Sequence, residues 1–333
     1  MNRSKITLAD IAEMAGVSPS TVSRVLNGDP RVNAERIDRV NSAIKELGYT
    51  PNRAARTLVT GKTGLVAAVI DSNLNVFSDP FWGQITTGIS QALQEANFQA
   101  LLMVRPLDAS DPSVVASLAP GQIDGAIFFQ LHDDDTVNLL QDMGLPLVVV
   151  GRPDESSKLT YVDSDNLGGA YEATRHLVAR GCKNIATIAG NLGLSSGRLR
   201  LEGFRRALDD AGLACPEQRI AFGDWTDESG ATAMAQLLDA DPDIDGVFVA
   251  NDLMALGAMS VLEERGLAIP DAVAVVGFDN MFAGRITRQQ LTTVEQDVRG
   301  LGAQAAAMVI AMIDGGKPKS LVLPTQLIVR DTA

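Results

Sequence analysis

Polar side chains follow short apolar segments at many points along the chain. Carboxylate, amide and guanidinium groups can each engage a pair of ring hydroxyls, and an indole can cover the apolar face of a sugar ring. These residue types predict a site for a polyhydroxylated small molecule. Asp and Asn could instead cap the helices that follow, and we favour this interpretation for Asp252. For Trp225 we favour a contact with the ligand. The positions are Asp71, Gln130, Gly151, Arg152, Gly190, Asn191, Asp224, Trp225, Asn251, Asp252, Asp279 and Asn280.

The segments that must position these residues alternate between apolar runs and amphipathic stretches. This rhythm is typical of parallel α/β sheets, in which ligands bind beyond the carboxyl ends of the strands. The motif at 123–128, Ile-Asp-Gly followed by apolar residues, recurs at 244–249, so we expect two similar doubly wound halves. A helix is predicted at 81–97, and strands are predicted at 65–70, 100–104, 125–129, 147–150, 185–189, 247–250 and 273–276.

The first fifty residues have a different pattern. Apolar residues from Leu8 to Ala15 recur at helical spacing, Gly16 breaks the pattern, and a second short helix follows with Ser18 as its N-cap. A third amphipathic helix is predicted between Asn33 and Gly48. Two short helices joined at a glycine form a helix-turn-helix, whose second helix suits the major groove of DNA. The side chains expected on its outer face are Pro19, Ser20, Thr21, Ser23 and Arg24.

Residues 51–59 are helix-prone but span about two turns, so this helix should be unstable unless something packs on it. We expect its partner to be DNA.

The charge distribution agrees with a DNA-binding N-terminal part. The chain has a net charge of −13, with 28 Lys and Arg against 41 Asp and Glu. Residues 1–62 contain ten Lys and Arg and six Asp and Glu, a net charge of +4, which leaves −17 for the remainder. A basic head on an acidic body confines attraction for phosphate to the head.

The sequence gives little support for a disulfide-bonded protein, a membrane protein or an enzyme. Cys182 and Cys215 have no metal-ligand spacing and do not suggest disulfides, so we expect the protein in a reducing cytoplasm. As a predicted DNA-binding protein, it should associate with the nucleoid there. No apolar run approaches the roughly 18 residues of a membrane span. His132 and His176 accompany no metal site or nucleophilic triad. The glycine-rich segment 190–197 lacks a dinucleotide fingerprint and a P-loop lysine. We therefore predict no catalytic residues, no metal and no cofactor.

Longer motifs make the chain resemble a known family. The segments 7–12, 16–18, 21–27 and 49–52 are similar to the DNA-binding headpiece of the lactose-repressor (LacI/GalR) family of bacterial transcription regulators. The resemblance implies an N-terminal all-α helix-turn-helix headpiece. It also implies an α/β core like that of type I periplasmic binding proteins, with two doubly wound lobes.

For the headpiece, the resemblance implies a homodimer that reads a palindromic operator. Arg24 offers a fork for guanine O6 and N7 and is expected to dominate recognition in the major groove. Leu58 is expected to enter the minor groove as a wedge at a central CG step. The residues predicted to contact DNA are Thr7, Leu8, Ser18, Pro19, Ser20, Thr21, Ser23, Arg24, Asn27, Arg31, Asn52, Ala55 and Leu58.

For the core, the segments 195–204, 223–225, 249–257 and 275–279 resemble the family's effector-binding segments. The loop 77–82 has Asp79 where the family commonly has asparagine. Whether this loop contacts ligand stays open, and Trp82 could belong to the core. A structural ion pair is the alternative for Arg200 and Asp279. The predicted effector-binding residues are Asp79, Phe81, Arg152, Arg200, Trp225, Asn251 and Asp279.

The chain ends without a heptad tail, and helical surfaces at 81–97 and 303–313 could pair, so we expect a dimer rather than a tetramer.

The resemblance also implies the domain boundaries. The predicted domains are a headpiece at 1–50, a hinge helix and linker at 51–62, and an effector-binding and dimerisation core at 63–333. Its N-lobe takes about 63–163 and 295–321, and its C-lobe about 164–294 and 322–333.

The sequence thus predicts a sequence-specific transcriptional regulator, a repressor of genes for sugar uptake or catabolism that a sugar inducer releases. Corepression by a purine or another metabolite stays open. So does a sugar-binding protein or sugar enzyme with no regulatory role, in which the headpiece would be superfluous.

Overall fold

The structure is a computed structural model. It describes residues 6–26, 29, 31–49, 61–71, 79–105, 116–119, 121–129, 142–154, 157–285 and 288–333. The segment 51–60 and the predicted contacts Asn27, Asn52, Ala55 and Leu58 lie outside these residues, as does Gln130. The chain divides into two compact units, Met1–Thr63 and Gly64–Ala333.

The first unit contains three helices, α1 (Leu8–Ala15), α2 (Pro19–Leu26) and α3 (Ala34–Leu47). Gly16 ends α1 with φ of 62°, a left-handed conformation that glycine adopts without steric cost. The Ser18 hydroxyl oxygen accepts a hydrogen bond from Thr21 N at 3.2 Å and so caps α2. Asn33 Oδ1 accepts from Arg36 N at 3.0 Å and caps α3. The predicted helices and caps are confirmed.

A small apolar core holds these helices together. Ile11 of α1, Val22 of α2 and Val40 of α3 have no exposed surface, and Ala12 and Ala43 pack beside them. Because the apolar residues of each short helix meet in this one core, the outer face of α2 is left to solvent.

The second unit contains most of the chain. In chain order its elements are β1 (Leu65–Asp71), α4 (Pro80–Glu95), β2 (Gln99–Arg105), β3 (Gly125–Phe129), β4 (Leu147–Val150), β5 (Thr160–Ser164), α5 (Asn166–Arg180), β6 (Ile185–Ala189), α6 (Ser195–Asp210), β7 (Ile220–Phe222), α7 (Asp227–Ala240), β8 (Gly246–Val249), α8 (Asp252–Glu264), β9 (Ala274–Asp279), α9 (Phe282–Arg285), β10 (Thr292–Gln296), α10 (Val298–Ile313), β11 (Leu321–Leu323) and β12 (Thr325–Ile328).

Two six-stranded sheets organise this unit. The first has the spatial order β11-β5-β4-β3-β1-β2 and is parallel throughout. The second has the order β12-β10-β9-β8-β6-β7, in which β12 runs antiparallel to β10. The two copies of the repeated motif form β3 and β8, which occupy equivalent central places. The predicted fold class, a helical headpiece followed by two doubly wound α/β halves, is confirmed.

Burial on both faces explains which strands the sequence revealed. The strands β1, β3, β6 and β8 are nearly continuous apolar runs because helices or loops cover both faces of a parallel sheet. The strands at 160–164, 220–222, 292–296, 321–323 and 325–328 escaped prediction because they are short or carry polar residues. In addition, β9 continues beyond its predicted end to Asp279.

The chain passes between the two sheets at 164–166, 296–298 and 323–325. We call the first sheet with α4 and α10 the N-lobe. The second sheet with α5 to α9 is the C-lobe. Three connections of this kind join the lobes at one edge, so any ligand held between them touches both.

The helices α4 and α10 pack against each other within the subunit. Their apolar residues, such as Ile85, Ile89 and Val309, are buried in the N-lobe core. The apolar residues in the two segments whose surfaces were considered for pairing therefore serve largely the core of their own lobe. No helix in the part of the chain that the structure describes is long and apolar enough to cross a lipid bilayer.

Close contact between α4 and α10 requires glycine at position 88. A Cβ atom there would overlap the carbonyl oxygen of Arg299 on α10. We predict that Gly88→Ala lowers the free energy of unfolding by about 1–3 kcal/mol, because the helices must move apart to admit the methyl group. Urea denaturation followed by circular dichroism measures the change.

The matched control is Gly83→Ala in the same helix, where the methyl group would meet no other atom within 4 Å. This substitution should raise stability by about 0.5–1 kcal/mol, because alanine favours the helix. Equal effects of the two variants would contradict the packing argument.

Candidate functional site

A cavity of about 350 Å³ lies between the two lobes, at the ends of strands from both sheets. The C-lobe contributes polar groups and one indole, and the N-lobe contributes aromatic and aliphatic side chains together with carboxyl groups. Six of the seven predicted effector residues line it. The lining residues are Asp79, Phe81, Trp82, Phe129, Val150, Gly151, Asp163, Asn166, Asn191, Ser195, Ser196, Arg200, Asp224, Trp225, Thr226, Asp227, Asn251, Leu253, Asp279, Gln296 and Leu301.

Arg200 of α6 lies at the centre of the C-lobe wall and is almost fully buried. Its Nε donates to Asn166 Oδ1 at 2.8 Å, and its Nη1 donates to the carbonyl oxygen of Ala250. The guanidinium carbon lies 3.6 Å from the centroid of the Phe278 ring. Burial lowers the pKa of Arg200, and the nearby Asp279 charge opposes this effect. These contacts orient the guanidinium towards the cavity.

Asp279 ends β9 and faces Arg200 Nη1 across 3.3 Å, so the two residues do form an ion pair. Gln296 Nε2 also donates to Asp279 Oδ1, and Gln296 Oε1 accepts from the Ser164 hydroxyl at 2.7 Å. Burial raises the pKa of Asp279 to about 7, although Arg200 opposes the shift. The pair is thus both a structural contact and a part of the cavity wall.

Trp225 follows β7 with φ of 75°, a left-handed conformation that is unfavourable for a bulky residue. Its indole lies against Gly190, where a Cβ atom would overlap the ring. Asn251 holds the turn, because its Nδ2 donates to Trp225 O at 3.0 Å while its Oδ1 caps α8. Backbone strain that is stabilised by neighbours in this way is common at ligand sites.

The N-lobe wall begins at the N-terminus of α4. Asp79 caps this helix by accepting from Phe81 N at 2.9 Å. Of the loop 77–82, the described residues Asp79, Phe81 and Trp82 line the cavity. Trp82 packs edge-on against both Phe81 and Phe129, with ring centroids 5.3 and 5.4 Å apart. Trp82 is therefore a core residue that also lines the cavity.

Sequence reasoning missed two residues with unsatisfied polar atoms at the cavity. Asp163 Oδ2 and the Ser196 hydroxyl are buried and have no hydrogen-bond partner among the described residues. The indole nitrogen of Trp225 is in the same state. Burial also raises the pKa of Asp163 to about 6. Asp163 escaped notice because its strand, with few apolar residues, was not predicted. Buried unsatisfied groups are costly, so a ligand with matching polar groups would be favoured here.

Arg152 and Asp252 follow strands but do not line the cavity. Arg152 lies outside the cavity lining, with its guanidinium over the Tyr161 ring at 5.8 Å. Asp252 is buried and accepts from Thr293 Oγ1 and from Met281 N, each at 2.6 Å. The role of Asp252 is therefore structural, but the helix-capping interpretation that we favoured for it is wrong, because Asn251 caps α8.

An exposed ion pair also joins the lobes. Arg198 Nη2 of α6 lies 3.0 Å from Asp154 Oδ1, which follows β4. Arg198 Nη1 donates to the carbonyl oxygens of Leu192 and Gly193, in the loop before α6. Surface pairs contribute about 0–1 kcal/mol, but this pair exists in one relative orientation of the lobes and so favours that orientation. In the described part of the chain, no group of three or more His, Cys, Asp or Glu residues could hold a metal ion.

The headpiece presents the predicted recognition surface by itself. On α2, Pro19, Ser20 and Arg24 are exposed, and Thr21 and Ser23 are half-buried. The Arg24 guanidinium donates no hydrogen bond to any residue that the structure describes, and the Arg24 carbonyl oxygen accepts from Asp29 N at 3.0 Å. Arg31 is exposed but paired with Asp29 through two hydrogen bonds, at 2.9 and 2.7 Å.

The neighbours of these side chains are equally defined. The Ser18 hydroxyl lies within 2.9 Å of the hydroxyls of both Ser20 and Thr21. Thr7 is exposed at the N-terminus of α1, where its hydroxyl donates to Asp10, and Leu8 is half-buried.

Two protein-family models match the chain, one in each of its two units. A family model described as bacterial regulatory proteins, lacI family, matches residues 7–52. A model described as a periplasmic binding protein-like domain matches residues 174–333.

Similar proteins extend the likeness over the full length. The HTH-type transcriptional regulator CelR of Thermobifida fusca is 41% identical, and the alignment covers 99% of each chain. A solved transcriptional regulator CelR-cellobiose complex has a TM-score of 0.78 at 39% identity, covering 98% of this chain and 100% of that one. A lac repressor dimer bound to operator and an anti-inducer has a TM-score of 0.86 at 29% identity, covering 99% of both chains.

The relatives are transcriptional regulators rather than enzymes, which agrees with the prediction of no catalytic site. From the two matched models and the full-length similarity, the chain belongs to the LacI family of bacterial regulatory proteins and is a DNA-binding transcriptional regulator.

Proposed function

We propose that this regulator is a homodimeric repressor of genes for sugar uptake or catabolism, acting in the cytoplasm at a palindromic operator, and that a disaccharide such as cellobiose releases it. The observation that carries the proposal is the assembly of Arg200, Asp279 and Trp225 on one wall of a cavity between the lobes. The similarity to CelR, a solved structure of which holds cellobiose, supports this effector.

The chemistry of the cavity fits a sugar. Arg200 can donate to hydroxyl oxygens, Asp279 can accept from hydroxyl groups, and Trp225 offers an aromatic face for C–H groups. The opposite wall supplies Phe81 and Trp82 for a second apolar face. A cavity of about 350 Å³ has room for two sugar rings.

The inducer would act through the orientation of the lobes. A sugar that contacts Asp79 on the N-lobe and Arg200 on the C-lobe favours the closed cleft, because only that state offers both sets of contacts. Closure changes the spacing of the N-lobes across the dimer and so denies the two hinge segments their pairing on DNA. Operator affinity then falls.

A ligand screen with the full-length protein tests the proposal. Thermal shift with mono- and disaccharides and with hypoxanthine identifies the effector, because a ligand that binds the folded state raises the melting temperature. An operator selected from a random duplex library then serves in a gel shift. We expect cellobiose to raise the melting temperature and to weaken operator binding.

Other outcomes contradict specific parts of the proposal. A sugar that strengthens operator binding would reverse the sign and indicate corepression. Stabilisation by hypoxanthine without a response to any sugar would favour the purine alternative. Loss of DNA binding on deletion of residues 1–62, with the ligand response kept, separates a regulator from a sugar-binding protein in which the headpiece is superfluous.

Trp225 should determine much of the sugar affinity. We predict that Trp225→Ala weakens cellobiose binding at least about tenfold, because the ring face that covers the sugar is lost. Isothermal titration calorimetry measures the affinity. The control is Phe222→Ala, which removes an aromatic ring that is 55% exposed and outside the cavity lining. Equal affinities of the two variants would show that Trp225 is not a ligand contact.

Arg24 should read a base. We predict that Arg24→Ala costs about 1–3 kcal/mol in operator binding and relaxes the preference at one base pair in each half-site. Arg31→Ala is the comparison, because the Arg31 guanidinium already pairs with Asp29. This substitution should change the affinity for all DNA sequences alike. Binding measured on a set of single-base operator variants separates the two. A uniform loss for Arg24→Ala would indicate a phosphate contact instead.

For the hinge, the proposal rests on the family resemblance, because residues 52–59 lie outside the described residues. Leu58 would insert at a central CG step and bend the operator. We predict that Leu58→Ala reduces bending and specific affinity together, because a wedge exchanges base stacking for a bend. Unchanged bending in a gel-shift phasing assay contradicts the wedge.

A further inference from the structure

The cavity is strongly acidic. Its lining contains five carboxyl side chains, those of Asp79, Asp163, Asp224, Asp227 and Asp279. Among the described residues that line the cavity, Arg200 is the only one with a cationic side chain. A ligand that enters the cavity therefore meets a negative potential.

Arg200 has little capacity left for an anion. Its Nε and Nη1 already donate to Asn166, to the Ala250 carbonyl and to Asp279, and one face of the guanidinium lies on Phe278. Nη2 remains for a ligand. One nitrogen can serve a hydroxyl oxygen, but a phosphate group presents three charged oxygens and is best met by a bidentate fork.

The deepest carboxyl groups already resist negative charge. Burial raises the pKa of Asp79, of Asp163 to about 6 and of Asp279 to about 7. A phosphate dianion beside them would add charge repulsion to the same cost of burial.

One feature favours an anion, and its magnitude is small. The first residue before α6, Leu194, provides no side-chain cap, and the buried Ser196 hydroxyl in the first turn has no hydrogen-bond partner among the described residues. A helix N-terminus carries about half a unit of positive charge. The helices α4, α7 and α8 also begin at the cavity, but Asp79, Thr226 and Asn251 cap them. A single hydroxyl or ether oxygen is enough to satisfy the end of α6.

We propose that the cavity selects an uncharged saccharide and rejects the same saccharide once it is phosphorylated, with Asp163 and Asp79 as the principal determinants. This inference rests on the proposed function. It means that the regulator reports the free sugar and does not respond to the product of phosphoryl transfer to it.

The test varies charge at one position of one ligand. Calorimetry with the full-length protein compares cellobiose with its 6′-phosphate, its 6′-O-acetyl ester and its 6′-amino-6′-deoxy derivative. The ester controls for size without charge. We expect the phosphate to bind at least about 30-fold more weakly than the ester, because its charge is repelled by the carboxylates of the lining. The amine should bind at least as tightly as the ester.

Variants identify the determinants. Asp163→Asn and Asp79→Asn keep the size of the side chain and one acceptor oxygen but remove the charge. Each should reduce the ratio of ester affinity to phosphate affinity by about tenfold. Asp239→Asn is the matched control, because this exposed carboxylate pairs with Arg265 on the C-lobe surface outside the cavity lining. It should leave the ratio unchanged.

The outcomes separate the two proposals. If cellobiose binds and the phosphate binds within about threefold of the ester, the charge proposal is wrong and the sugar effector stands. Equal rejection of ester and phosphate would show selection by size and overturn the charge proposal. If neither cellobiose nor any derivative binds, the sugar effector is wrong and the charge proposal fails with it.

Discussion

The buried guanidinium of Arg200 is the constraint on which the arrangement of the second unit, Gly64–Ala333, depends. A charge in this position is tolerable because three separate parts of the chain satisfy it, the Asn166 side chain, the Ala250 carbonyl and the Asp279 carboxylate. Removal of any one partner would leave a buried group unpaired, which is costly. The helix α6, the start of α5 and the ends of β8 and β9 must therefore meet at one point, and that point is the wall of the cavity.

The same contacts extend to the connections between the lobes. Asn166 lies at the first connection, and Gln296, which links Asp279 to the Ser164 hydroxyl, lies at the second. A ligand that competes for Arg200 or Asp279 thus acts on side chains next to the points about which the lobes would turn. The exposed pair of Arg198 and Asp154 adds a contact between the two lobes. The shared groups support the proposed coupling between effector binding and the orientation of the lobes.

The two units divide the work by charge and by chemistry. The headpiece carries the positive charge and exposes small polar residues and Arg24 on a short helix, a surface suited to base edges and phosphates. The body carries the negative charge, and its cavity continues that sign. The headpiece can therefore attract DNA, whereas the acidic cavity of the second unit would not attract polyanions or phosphorylated metabolites.

The sequence by itself determined the headpiece, the central strands and the types of residue at the site. Caps at Ser18 and Asn33, the turn at Gly16 and the apolar runs of the central strands depend on neighbours along the chain, so local pattern reveals them. It also singled out Arg200, Trp225, Asn251 and Asp279, partly through resemblance to a family. The polar or short strands at 160–164 and 292–296 were missed, because pairing within a sheet, and not local propensity, makes them strands.

Only the tertiary structure decided which polar groups meet. It brought Asp79 and Phe81 to the cavity and left Arg152 outside it, although Arg152 also follows a strand. It showed Trp82 to be at once a core residue and part of the cavity wall. Within the described residues, it revealed the unsatisfied oxygens of Asp163 and Ser196, and a cavity lining with five carboxyl groups against one guanidinium. Such properties arise from residues far apart in sequence, because hydrogen-bond satisfaction and local charge depend on distances in space that no linear pattern records.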